Sequence, residues 1–127
     1  MSNWKAITVL GCAVAVLAPA LQADAADVRV RCERRANRRS KISVDGRNLA
    51  RGQYRAIVKS GSNKATSPAQ PAVGGEAEFD FDSDRGDIAE GATAISPTFI
   101  QGGKVLGKIR NSAGTIVAQA SATCEIR

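Results

Sequence analysis

Apolar residues follow two different patterns along this chain. Near the amino end they form one nearly continuous run over residues 6–21, and from residue 26 onward they alternate with polar residues in short segments. Gly, Asn, Asp and Pro separate those segments. Because alternation with a period of two is typical of strands with one buried face, the pattern predicts a leader followed by a β-rich domain.

The apolar run has the organisation of a secretory signal peptide. Lys5 precedes the run, and Ala23 and Ala25 supply the small residues of a cleavage site. We expect residues 1–25 to be removed and residues 26–127 to form one exported domain, either periplasmic or extracellular. An uncleaved anchor is the alternative, because arginines follow the run closely. The run is shorter than the roughly 20 residues of a membrane span, so we expect no stable span after cleavage.

The 102 residues after the leader predict seven or eight short strands and at most one turn of helix, at residues 87–90. The clearest strands cover residues 27–34, 41–45, 53–59 and 76–82, and residues 104–110 and 115–127 are expected to form a hairpin. This many short strands in one small domain indicates the all-β class and an antiparallel β-sandwich.

Two of the three cysteines, Cys32 and Cys124, fall in the first and last predicted strands, on their apolar faces. An even pair in an exported chain predicts a disulfide. The bridge would close almost the whole domain, for which chain-entropy models give somewhat over about 4 kcal/mol. A redox-active pair usually has the Cys-x-x-Cys spacing, so we expect a structural bridge.

Leu49, Gly52 and Tyr54 form the pattern Leu-x-x-Gly-x-Tyr. This pattern resembles the tyrosine corner of immunoglobulin-like and fibronectin-like sandwiches, in which the tyrosine hydroxyl bonds to the backbone just upstream. The resemblance implies a fold and no activity. The chain departs from those families because its domain has no Trp for the core and because its bridge would join the two terminal strands.

The composition argues against catalysis. The chain has 0 His, which excludes Ser-His-Asp and Cys-His mechanisms and removes the usual zinc ligands. Glu76, Glu78, Asp80 and Asp82 could in principle supply a pair of glycosidase carboxylates, but they alternate on the predicted solvent face of a strand. We therefore expect a protein that is not an enzyme and has no cofactor.

Asp82, Asp84 and Asp87 lie at a spacing that partly matches a calcium-binding loop. The EF-hand pattern needs Gly at its sixth position, where Arg85 stands, and an acid at its twelfth, where Gly91 stands. An acidic strand that runs into a turn explains the same residues. We expect no metal, and these three aspartates are the ligands if a cation does bind.

Charge is segregated along the chain. Residues 29–64 carry a net +10 and residues 76–90 a net −6, within a total of +6. The simplest interpretation is that neighbouring strands pair these charges across one solvated face, each pair contributing under about 1 kcal/mol.

The leading functional hypothesis is binding of a polyanionic component of the cell envelope through a basic loop. Arginine suits phosphate and sulfate, and no aromatic residue is interleaved for base stacking. The alternative is a structural or partner-binding module, such as an inhibitor, an accessory subunit, or a homo-oligomer or filament that joins a basic end to an acidic end. The cations of the predicted loop site are Arg31, Arg34, Arg35, Arg38, Arg39 and Lys41.

Overall fold

Two β-sheets packed face to face contain most of the residues that a computed structural model of the chain describes, 25–36 and 38–127. The signal peptide is predicted for residues that lie, except for Ala25, outside this described part. The strands are β1 Asp27–Arg35, β2 Arg39–Arg47, β3 Gln53–Ser60, β4 Asn63–Thr66, β5 Gln70–Pro71, β6 Ala77–Asp82, β7 Thr93–Ala94, β8 Lys104–Asn111, β9 Ile116–Thr123 and β10 Glu125–Ile126, with one helix, α1 Arg85–Ala89.

The strands divide into sheet A, in the order β10-β1-β2-β6-β7, and sheet B, in the order β4-β3-β8-β9 with β5 paired to β3. All pairs are antiparallel except β1 with β10 and β6 with β7. The predicted all-β sandwich is therefore confirmed. Three of the ten strands, β5, β7 and β10, have only two residues each, which explains why the sequence predicts fewer.

The core lies between the sheets and follows the predicted alternation. The inward side chains of β2 and β6 face those of β3 and β8, where Gly107 sits opposite Val30 of β1. A Cβ atom at Gly107 would lie 2.7 Å from a Val30 methyl carbon, so the sheets approach closely there. The main buried residues are Ile42, Val44, Phe79, Phe81, Tyr54, Ala56, Val58, Val105 and Ile109.

The loop before β8 closes one end of the sandwich with Phe99 and Ile100, which are 5% and 0% exposed. A buried serine from each sheet holds this loop. The Ser40 hydroxyl of sheet A donates to the Pro97 carbonyl at 2.8 Å, and the Ser60 hydroxyl of sheet B accepts a hydrogen bond from the Gln101 backbone N–H at 2.7 Å. Buried polar groups on both sheets therefore fix a loop that carries two core side chains.

The carboxyl-terminal segment corrects the predicted single strand over residues 115–127. It divides at Cys124 into β9, which belongs to sheet B, and β10, which pairs in parallel with β1 of sheet A. Cys124 is bonded to Cys32 of β1, with 4.6 Å between the two Cα atoms, and its backbone N–H donates to Gly103 at 2.8 Å. The chain therefore changes sheets at the residue that the disulfide ties down.

Tyr54 has the hydrogen bond that the Leu-x-x-Gly-x-Tyr pattern predicts. Its hydroxyl donates to the Ala50 carbonyl at 2.7 Å, while its ring and Leu49 are both 5% exposed. The bond fixes the turn that leads into β3. Within the described residues, no helix has the length and apolar character needed to cross a membrane.

We expect the double substitution Cys32→Ala/Cys124→Ala to lower the free energy of unfolding by about 2–5 kcal/mol, because the bridge restricts the unfolded chain. Urea denaturation followed by circular dichroism measures the change, and reductant added to the unsubstituted protein should reproduce it. Labelling of either cysteine by a thiol reagent in the unfolded, non-reduced protein would contradict the bridge.

Candidate functional site

Three of the six cations predicted to form a loop site are engaged with carboxylates. Arg31 pairs with Asp45 at 3.1 Å, Arg35 pairs with Glu33 at 2.6 Å, and Arg39 contacts two aspartates. The first two pairs are solvent-exposed, so each contributes little stability and an anion could displace it. The pairs with Arg39 are of a different kind because one partner is buried.

The other three cations of the predicted loop do not share one surface. Arg34 follows the opposite alternation to Arg31 and Arg35, and its Nε donates to the Ala36 carbonyl at 2.8 Å. Arg38 is exposed in the turn between β1 and β2, and Lys41 lies in register between Glu33 and Asp82. The residues of the predicted site therefore lie partly in the β1–β2 turn and partly on the two opposite faces of β1.

Strand pairing sets the basic segment beside the acidic segment, because β2 pairs with β6 along its length. The Ser43 hydroxyl donates to the Asp80 carboxylate at 3.0 Å across this pair. The β2 part of the basic segment therefore neighbours the acidic segment within sheet A, while β3 and β4 of the same segment lie in sheet B. On the outer face of sheet A, several cross-strand pairs set a cation opposite a carboxylate, such as Arg29 with Asp45 and Lys41 with Asp82.

Asp82 corrects the prediction that the acids of β6 all face solvent, since it is 1% exposed. Arg39 donates to both of its oxygens, at 3.0 and 2.8 Å, and reaches Asp87 at 2.6 Å. A bidentate guanidinium satisfies a buried carboxylate well. The Asp82 side chain still points to the outer side of β6, as the alternation predicts, but Arg39 and the segment around α1 shield it from solvent.

The same contacts shift the pKa of both aspartates. Burial raises the pKa of Asp82, but the hydrogen bonds it accepts, foremost from Arg39, outweigh burial and lower it from 3.8 to about 2. The hydrogen bond with Asp82, together with burial, raises the pKa of Asp87. Asp87 therefore takes up a proton first on acidification, and the Arg39–Asp82 pair persists to lower pH.

The candidate calcium ligands have other partners. Asp84 caps α1, accepting a hydrogen bond from the backbone N–H of Asp87 at 3.2 Å, and the guanidinium of Arg39 lies between Asp82 and Asp87. The cap also places the helix start earlier than predicted. Among the described residues, no group of three or more acidic, His or Cys side chains is arranged to hold a metal ion.

A groove of about 920 Å³ lies over the outer face of sheet A, between β10 and the segments 67–70 and 90–93. Its two cations, Arg31 and Lys41, are outnumbered by carboxylates. The charges of Asp45 and Asp80 raise the pKa of Glu78, which shows that carboxylates crowd one another there. The lining carboxylates are Glu33, Glu78, Asp80, Asp82, Asp87, Glu90 and Glu125.

The outer face of sheet B has the opposite character, and the sequence analysis did not identify it. The strands β3, β4, β8 and β9 contain no Asp or Glu, so every charge on this face is positive. In the described part of the chain, none of these cations forms an ion pair. We call this set the cationic face: Arg55, Lys59, Lys64, Lys104, Lys108 and Arg110.

Register sets like charges directly opposite one another on the cationic face. Lys59 is paired with Lys64 of β4, and Arg55 is paired with Arg110 of β8. Like charges in directly opposed positions destabilise a sheet. The face therefore carries a repulsion that an anion from outside the domain would relieve.

Two apolar residues lie among these cations. Ile57, between Arg55 and Lys59, is only 5% exposed although it is on the outer face, and Leu106 of β8 is half-buried. Long cationic side chains cover apolar surface with their stems and keep their charged ends in water. The four aromatic side chains in the described ranges, Tyr54, Phe79, Phe81 and Phe99, are all buried, so the cationic face presents charge without rings.

A sequence signal for the cationic face does exist. Residues 46–75 and 91–124 contain no Asp or Glu, and both stretches contain predicted strands with cations at outward positions. Each stretch has a modest local density of cations, so it is less conspicuous than the arginine cluster of residues 31–41. Only the pairing of β3 with β8 brings the cations of the two stretches onto one surface.

No family model, curated protein or solved structure matches this chain. The functional interpretation therefore rests on the geometry of its own residues. Among the surfaces described above, the cationic face is the one whose cations form no ion pair with another described residue.

We expect Arg39→Met to lower the free energy of unfolding by about 3 kcal/mol, because it leaves Asp82 buried without its cation. The pH dependence should also change sign. In the unsubstituted protein the pKa of Asp82 is about 2, below its unfolded value. Its stabilisation is therefore complete above about pH 4 and lost as the pH falls toward 2. In the variant, protonation of a buried lone carboxylate should recover stability on acidification.

Urea denaturation between pH 2 and pH 6, followed by circular dichroism, measures both effects. Arg31→Met is the matched control, since the Arg31 side chain is 58% exposed and its pair with Asp45 should contribute under about 1 kcal/mol. Equal losses for the two variants, with parallel pH profiles, would show that the Arg39–Asp82 pair has no special role.

Proposed function

We propose that this protein is an exported, non-catalytic domain that binds polyanions through the cationic face. The observation that carries the proposal is the complete absence of carboxylates from the strands of sheet B, beside six cations without ion pairs. Cations that form no ion pair within the domain are available to an external anion, and Arg55 has only a hydrogen bond to the Ser67 carbonyl. The six together equal the net charge of the whole chain, +6.

The electrostatics of the face favour binding in two ways. Opposed pairs such as Lys59 with Lys64 repel one another in the free protein, so a bound anion removes an unfavourable interaction as it adds favourable ones. A surface of one sign also attracts oppositely charged ligands over roughly a Debye length, about 8 Å at physiological salt.

The loop arginines are less suited to form the site than the cations of the cationic face, which lie on the other sheet. Arg31, Arg35 and Arg39 have carboxylate partners, which an incoming polyanion would have to displace. The cationic face has no such competition. We therefore assign the polyanion-binding role to sheet B and treat the loop as the comparison site.

Two features support the exported, non-catalytic part of the proposal. The Cys32–Cys124 bridge is of a kind that persists in oxidising compartments outside the cytosol. The chain has 0 His, and the acids of the groove on sheet A are paired or crowded by like charge. The Ser43 hydroxyl, which donates to Asp80, therefore has no imidazole to activate it as a nucleophile.

We expect the unsubstituted domain to be retained on immobilised heparin and released by salt, since polyanion binding releases counterions. The variant Lys59→Gln/Lys108→Gln/Arg110→Gln should lose most of this retention. The matched control, Arg31→Gln/Arg35→Gln/Arg38→Gln, removes the same charge from the predicted loop and should elute close to the unsubstituted protein.

The outcomes separate the site from the function. Loss of retention in the loop variant alone would return the site to the β1–β2 turn and keep the function. Failure of the unsubstituted domain to bind heparin at low salt would reject polyanion binding altogether. Circular dichroism of each variant excludes unfolding as the cause of any loss.

Self-association is a second candidate, favoured by one observation. The acidic groove lies on the outer face of sheet A and the cationic face on the outer face of sheet B, on opposite sides of the sandwich. Copies could stack with the cationic face of one against the groove of the next, and such head-to-tail contacts form open filaments when they do not close. The complementary surfaces are the faces of the domain and not its ends.

If copies stack in this way, the mass measured by light scattering should rise with concentration and fall with added salt. Glu78→Gln/Asp80→Asn, in the groove, should shift the domain toward monomer, because both carboxylates line the contact. Asp27→Asn/Glu76→Gln removes the same charge outside the groove and should leave the mass unchanged. A monomer at every concentration would reject this candidate.

A further inference from the structure

The cations of the cationic face are arranged in rows along the strands. Because Lys59 is in register with Leu106 and Arg55 with Arg110, the outward positions of β3 and β8 form successive rows across the sheet. Adjacent rows are about 7 Å apart, two residues along a strand. In order, the rows contain Lys104, then Lys59 with Lys64, then Lys108, then Arg55 with Arg110. Each row therefore supplies at least one cation.

The rows make a stripe that is longer than it is wide. From Lys104 to Arg110 is six residues along β8, which is about 20 Å. Across the sheet the stripe occupies β8, β3 and one position of β4, about 10 Å. On its far side, the neighbouring outward residues of β9 are uncharged, namely Gln119, Ser121 and Thr123.

The shape of the stripe indicates the shape of its ligand. A compact anion would be bound by cations that converge on one point, whereas these are distributed over the whole length of two strands. A bilayer would meet the entire face, where Ile57 and Leu106 are largely covered and Ile116, 39% exposed, stands at one end beside Arg110. A linear ligand with a negative charge at each interval between rows would contact a cation in every row.

The side chains of the stripe indicate how such a chain is recognised. Four of the six are lysines, which act as mobile point charges and do not impose bidentate geometry. Since the aromatic residues of the described ranges are all in the core, stacking on bases is not provided. The stripe is suited to repeated sulfate or phosphate groups, read by their charge alone.

We propose that the ligand of the cationic face is a linear polyanion with sulfate or phosphate groups, lying along β3 and β8 and occupying about 20 Å of the face. The inference rests on the proposed function and specifies its partner. Binding is independent of monomer sequence, and affinity depends on the length of the chain up to the length of the stripe.

Titration with size-graded heparin oligosaccharides and with oligothymidylates tests this inference and separates sulfate from phosphate sources. In each series, affinity should rise steeply with length until the ligand spans about 20 Å and then only in proportion to the number of overlapping sites. For oligothymidylate, the logarithm of the affinity should fall with the logarithm of salt with a slope of about −4, if all six cations contact phosphates. Lys59→Gln/Lys108→Gln/Arg110→Gln should reduce that slope by about 2.

Inorganic phosphate and phosphatidylglycerol vesicles are the comparison ligands. Equal affinity per charge for inorganic phosphate and for long chains would overturn the inference in favour of a compact anion site. Binding to vesicles without binding to either soluble series would overturn it in favour of a membrane surface, with the polyanion function intact. No binding to any of these probes, including unfractionated heparin, would reject the proposed function itself.

Discussion

The bridge between Cys32 and Cys124 holds the two sheets together where the chain passes from one to the other. β9 belongs to sheet B and β10 to sheet A. Without the bridge, only the two-residue strand β10 would hold the last residues to the edge of sheet A. A domain of this size buries too little apolar surface to tolerate a loose edge. With the edge closed, Gly107 can approach Val30 and the apolar faces of β2, β3, β6 and β8 meet across a continuous core.

That packing also decides how the charges are used. On sheet A, the pairing of β1, β2 and β6 sets cations against carboxylates, and the pair of Arg39 with Asp82 is partly buried as a result. Sheet B receives cations only, so nothing on it neutralises them. The cations of sheet A are therefore largely paired with carboxylates of the same sheet, whereas those of sheet B form no ion pair among the described residues. This difference between the faces, and not the total charge, is the basis of the proposed function.

Much of the fold followed from alternation, because the direction of a strand side chain depends on its neighbours in sequence. Ile42, Val44, Phe79 and Phe81 were predictable as core residues on this ground, as was the turn bond of Tyr54. Asp82 was not, because its burial comes from Arg39 and the segment around α1 and not from its own strand. The candidate site was less predictable still. A dense cluster of cations such as residues 31–41 is visible in the sequence, whereas the cations of β3 and β8 are sparse on each strand and come together only when the strands pair.

The sequence by itself determined which residues could face the core, that its two domain cysteines would pair, and that histidine chemistry was excluded. These properties depend on residue type and on spacing over a few positions. Only the tertiary structure decided which charges are neighbours. β3 and β8 are far apart along the chain, and hydrogen bonding between them aligns Arg55 with Arg110 and brings Lys108 beside Ile57. A surface large enough to bind such a ligand combines residues from several strands, and no single strand carries enough cations to indicate it.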